Sequence, residues 1–106
     1  MEKEMLQFLQ TQDYESAAHL AEKLDKDSLA LLLQELDKAD IPPFCRAINS
    51  DLLAETLPLL DTPLQELVIN GLRDDELEKV LDEMSLDETV DILEDMPQEI
   101  VRRIAG

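Results

Sequence analysis

The stretch Leu29-Ala30-Leu31-Leu32-Leu33-Gln34-Glu35-Leu36 places Leu29, Leu32, Leu33 and Leu36 at the i, i+3, i+4, i+7 spacing of one helix face. Twelve residues on, the pattern returns as Ile41, Phe44, Cys45, Ile48, and then as Leu53, Thr56, Leu57, Leu60. It continues through Gln65, Val68, Ile69, Leu72, then Leu77, Val80, Leu81, Met84, then Thr89, Ile92, Leu93, Met96. Backwards it gives Ala17, Leu20, Ala21, Leu24 and, more faintly, Met5, Phe8, Leu9, Gln12; forwards it stops within Val101, Ile104, Ala105. A fixed period of this kind marks a repeat architecture.

Twelve residues hold about two helical turns and a short connector. The connectors fall at Asp25–Asp27, Asp37–Asp40, Asn49–Asp51, Asp61–Pro63, Arg73–Asp75, Ser85–Asp87 and Pro97–Glu99, where Asp and Ser suit N-cap positions. Pro42, Pro43 and Pro63 belong in first turns, where a missing N–H costs nothing. Pro58 lies inside its segment and predicts a kink or a split. So short a helix cannot bury its stripe alone, whereas stacked copies can. The reading is all-α: a superhelix, or solenoid, of short helices forming a single domain over residues 1–106. The column Leu33, Cys45, Leu57, Ile69, Leu81, Leu93 is expected to be buried throughout.

At 106 residues the chain is long enough to bury about 65% of its unfolded surface. Aliphatic side chains must supply that core, since Phe8, Tyr14 and Phe44 are the only aromatics. Twenty-six acidic residues against nine basic ones give a net charge of -17. That balance repels nucleic-acid phosphate and anionic lipid, and favours cations or a basic partner. No apolar run approaches the ~20 residues of a membrane span, and no signal peptide opens the chain. One cysteine, Cys45, makes no internal disulfide and suits a reducing cytosol.

Opposite each apolar stripe lie the positions two before and two after its first member. In the copy built on Thr89 these are Asp87 and Asp91, and Glu55 occupies the place of Asp91 three copies earlier. Asp82 and Glu94 point close to the same way. On composition alone this is a solvated acidic face that keeps the chain soluble. The sharper reading is an open, hydrated and weak site for a hard cation, Mg²⁺ or Ca²⁺, completed by another surface. An EF-hand loop is missing, as are a nucleophile–base pair, a glycine-rich phosphate loop and a His/Cys cluster, so no enzyme is expected. Cys45 sits in a core column, His19 stands alone on the outward side, and Met84 and Met96 read as packing.

The phrases LLAETLPLLDTPLQELV (Leu52–Val68) and LDEMSLDETVDILEDMP (Leu81–Pro97) are characteristic, and the run from Leu24 to Ile104 resembles the cytosolic N-terminal domain of MgtE-type magnesium transporters. The resemblance implies a superhelix of short helices that precedes a CBS-domain pair, a plug helix and a transmembrane channel. It implies Mg²⁺ held weakly between acidic N-terminal and CBS surfaces, closing the pore when cytosolic magnesium is high. Family carboxylates facing those ions match here at Glu55, Asp87 and Asp91. The chain is then expected to be the N-terminal regulatory fragment of a longer transporter, at the cytoplasmic side of the cell membrane and without direct membrane insertion. Its implied partners are the CBS domains and transmembrane part of the parent, which forms a homodimer through the parent chain. The alternative is a helical scaffold that grips a protein along its concave face, with the acidic side inert.

Overall fold

The computed structural model describes residues 2–105, and five of its helices begin just after a side-chain N-cap. The helices are α1 (Glu2–Gln10), α2 (Tyr14–Ala21), α3 (Lys26–Glu35), α4 (Ile41–Ala47), α5 (Ser50–Thr56), α6 (Thr62–Gly71), α7 (Asp74–Asp82), α8 (Leu86–Glu94) and α9 (Gln98–Ala105). A 3-10 turn, Leu57–Leu59, follows α5, and there is no strand among the described residues. The all-α reading holds.

All starts but one fall twelve residues apart. The caps explain the spacing: Asp13, Asp25, Asn49, Asp61 and Ser85 accept hydrogen bonds from the backbone N–H of Ser16, Ser28, Leu52, Leu64 and Glu88 at 2.8–3.2 Å. At α8 the cap is reciprocal, for Glu88 Oε1 accepts from the Ser85 N–H at 3.1 Å. α4 is the exception, and the prolines give the reason. A start at residue 38 would put Pro42 and Pro43 inside the helix, where their missing N–H groups would break its ladder. Beginning at Ile41 sets both in the first turn, where no N–H is needed.

Pro58 acts as expected. α5 stops at Thr56 and the chain tightens into the 3-10 turn around the proline. The Leu57 carbonyl accepts from the Leu60 N–H at 3.2 Å and from Gln65 Nε2 at 3.1 Å. That second bond accounts for a glutamine in an apolar column: Gln65 is buried, and its amide serves the turn that Pro58 creates. Thr56 is likewise buried and donates from Oγ1 to the Leu52 carbonyl at 2.7 Å.

Packing links next-but-one helices. α2 lies on α4 and α4 on α6, while α3 lies on α5 and α5 on α7. The molecule is accordingly elongated, 39 × 22 × 22 Å. α4 and α6 approach so closely that a Cβ on Gly71 would fall 2.5 Å from Pro42 Cβ, which leaves room there only for glycine. In the middle copies Leu29, Leu33, Phe44, Cys45, Leu53, Leu57, Val68 and Ile69 are fully buried, while Leu32 and Leu36 of α3 are half-buried. The expected column fails at its end: Leu33, Cys45, Leu57 and Ile69 are buried, but Leu81 and Leu93 are only half-buried. Leu81 lines an open hollow with Arg103 and Ile104 of α9, and α8 buries Ile92 alone.

α9 buries Ile100 and adds a polar clamp. Arg103 Nε pairs with Asp74 Oδ1 at 2.7 Å, and its Nη atoms donate to the Ile69 and Leu72 carbonyls at the end of α6. The Ile69 carbonyl otherwise accepts only a long bond from the Leu72 N–H at 3.3 Å, so the guanidinium reinforces the end of α6 as a C-cap.

Candidate functional site

Glu55 projects from α5 into solvent between Ala54 and Thr56, both buried. Asp87 lies in the first turn of α8 and Asp91 one turn further on, and both are exposed. Two like charges at i,i+4 cost a bare helix a few tenths of a kcal/mol. The positive end of the helix dipole, next to Asp87, offsets part of this. The outward placement expected for all three is what the fold provides.

The acidic surface divides into two kinds of carboxylate. On α7, Asp74 is paired with Arg103, Asp75 with Arg73, and Glu76 with both Arg73 and Arg46, the last at 3.2 Å. Glu55, Asp87 and Asp91 make no hydrogen bond or ion pair among the described residues. They are therefore available to an outside cation at no cost in internal contacts.

Geometry limits what they can hold. Among the described residues no three His, Cys, Asp or Glu side chains gather as a metal-holding group. The helix brings Asp87 and Asp91 together as a pair, while Glu55 stands apart on another helix. A donor set of carboxylate oxygens without nitrogen or sulfur fits a hard, hydrated cation such as Mg²⁺.

The other chemistry-bearing side chains are spoken for. Burial pushes the Cys45 thiol up to about 12, so it carries no thiolate at neutral pH. His19 is exposed and lies 3.9 Å from Glu22. The Tyr14 hydroxyl donates to Asp40 Oδ1 at 2.7 Å, which raises its pKa above the ordinary value. No described helix is long and apolar enough to cross a membrane.

The periodicity missed two features. Arg103 lies outside the four apolar columns, and nothing local marks it as a clamp reaching back some thirty residues. Leu6 and Leu31 are also off the columns and are 57% and 63% exposed. Apolar residues outside the register were the available signal for them.

No curated protein matches the chain. Residues 29–105 match the MgtE intracellular N domain, a stretch that runs from the first turn of α3 to the end of α9 and takes in Glu55, Asp87 and Asp91. By that match the chain belongs to the family of the MgtE intracellular N domain, a regulatory region of a magnesium transporter and not an enzyme family.

Proposed function

We propose that this domain senses cytosolic Mg²⁺ for a magnesium transporter of which it forms the N-terminal part. Glu55, Asp87 and Asp91 supply one half of an ion-binding surface, and an acidic CBS-domain surface of the parent supplies the other. The observation that carries the reading is the state of those three carboxylates. They are exposed and uncommitted, whereas Asp74, Asp75 and Glu76 at the start of α7 are paired with arginines.

The physical mechanism is screening made specific. A chain of charge -17 repels a second acidic surface at any separation within the ~8 Å Debye length of physiological salt. Hydrated Mg²⁺ between the two faces turns that repulsion into bridging and holds the domains together, which closes the pore. When Mg²⁺ falls, the ions leave, the faces repel, and the pore is free to open. Because Mg²⁺ gives up its waters reluctantly, an open half-site should bind it only at millimolar concentration or above. That range suits a sensor of an abundant cation.

The test mixes this domain with the CBS pair of its parent transporter in MgCl₂ or in NaCl at matched ionic strength. Association should be about tenfold tighter in MgCl₂, a difference of ~1.4 kcal/mol, and Asp87→Asn with Asp91→Asn should abolish the gain. Equal association in the two salts would refute the bridging role.

A further inference from the structure

Next-but-one packing holds from α2 to α7 and lapses at both ends: α8 and α9 do not lie closely on α6 and α7, and α1 lies on α2 but not closely on α3. The gap between them is an open trough of about 520 Å³ floored by Met5, Leu6 and Leu9 of α1 and by Leu31, Leu32 and Leu36 of or just beyond α3. It continues into a second hollow of about 400 Å³, which shares Leu6, Leu9, Glu35 and Leu36 and ends at Asp37 and Asp40. Leu6 and Leu31 stand more than half exposed along it. A contiguous apolar strip with a polar rim is the usual mark of a docking surface.

Charge fixes the class of occupant. The lining carries four carboxylates, Glu2, Glu35, Asp37 and Asp40, and no basic residue. α1 and α3 both terminate toward the Asp37 end, adding the negative ends of two helix dipoles. A second copy of this chain brings another -17, and an anionic membrane brings the same sign. We propose that the trough binds an amphipathic helix of a partner protein. Its apolar residues at i, i+3/i+4 and i+7 enter between Leu6 and Leu31, and its basic end meets Glu35 and Asp37. This is the helix-in-groove mode of recognition, in which apolar anchors supply affinity and charge sets orientation. α1, one wall of the trough, lies outside the residues that match the family, and the site makes no use of Glu55, Asp87 or Asp91.

The experiment uses the whole chain in EDTA, which separates it from any effect of Mg²⁺. The probe is a labelled synthetic helix of about five turns with leucines at i, i+3, i+4 and i+7 and three lysines at one end. Its controls are a peptide with the lysines replaced by glutamates and a scrambled peptide of equal composition. Saturable binding is expected for the basic amphipathic peptide, about tenfold tighter than for either control. Leu6→Ser with Leu31→Ser should weaken it about tenfold, and Glu35→Gln with Asp37→Asn about threefold with a flatter salt dependence. Both leucines are exposed, so the variants should melt like the parent chain. Equal binding of the scrambled peptide would show bulk charge attraction and overturn the proposal, as would no saturation or no response to the leucine variants. So would leucine-dependent dimerisation of the chain in sedimentation, or leucine-dependent binding to phosphatidylcholine vesicles.

Discussion

The middle of the molecule and its C-terminal end carry the same twelve-residue pattern and differ in what covers it. From α4 to α6 neighbours on both sides seal the apolar columns, and Phe44, Cys45, Leu57, Val68 and Ile69 are wholly buried. At α8 the same register buries Ile92 and Met96 but leaves Thr89 and Leu93 only half-buried. A repeat's burial is thus a property of its neighbours more than of its own residues, because its apolar face is covered by the helices two places before and after it. The contrast bears on function. Glu55 sits on a helix packed against α3 and α7, and Asp87 and Asp91 sit on one that buries only Ile92.

Core truncation should expose the difference most strongly. Ile69→Ala should cost about 3–4 kcal/mol in chemical denaturation, and Leu93→Ala only about 1–2 kcal/mol. Equal costs would mean that α8 is packed as tightly as α6.

Next in size is the close approach of α4 and α6. Gly71→Ala forces a Cβ against Pro42 and should destabilise by about 1–3 kcal/mol, although alanine is the better helix former. A stabilised variant would show that the two helices separate freely.

At the soft end, Arg103→Ala removes the clamp on the α6 carbonyls and should cost about 1–3 kcal/mol. Its signature is local: amides of α9 should lose hydrogen-exchange protection while those of α4 and α5 keep theirs. A uniform loss would place α9 in the same cooperative unit as the middle.

The smallest effect is expected from Asp91→Ala. Removing one of two like charges at i,i+4 should raise stability by a few tenths of a kcal/mol or leave it unchanged. A clear loss would show that Asp91 has an internal role that its exposure hides.

Periodicity and capping were enough to read the helical class, the spacing of the elements, the break at Pro58 and the outward direction of Glu55, Asp87 and Asp91 from the sequence. Each of these depends on residues within one or two turns of one another. What stayed hidden depends on distant partners. Gln65 looks like a flaw in a column until the Leu57 carbonyl lies 3.1 Å from its amide. The delayed start of α4 needed the competition between a twelve-residue register and two prolines to be settled in three dimensions. Leu81 and Leu93 match the pattern as well as Leu57 does, but no sequence rule says that they end only half-buried. The trough beside Leu31 was invisible for the converse reason, since it arises where α1 departs from the packing that the repeat prescribes.

The most direct test of the sensing role follows backbone amide shifts of the chain in MgCl₂ and in NaCl at matched ionic strength. Thermal shifts alone decide nothing, because at an ion concentration near Kd binding adds only ~0.4 kcal/mol, and plain screening of a -17 chain also stabilises it. Mg²⁺ should move the amides around Asp87 and Asp91, with a smaller response near Glu55, and leave those around Asp13 and Asp25 as they are in NaCl. Asp91→Ala should remove the response on α8. Shifts spread evenly over the acidic surface and unchanged by that substitution would contradict the account and leave a solvated face.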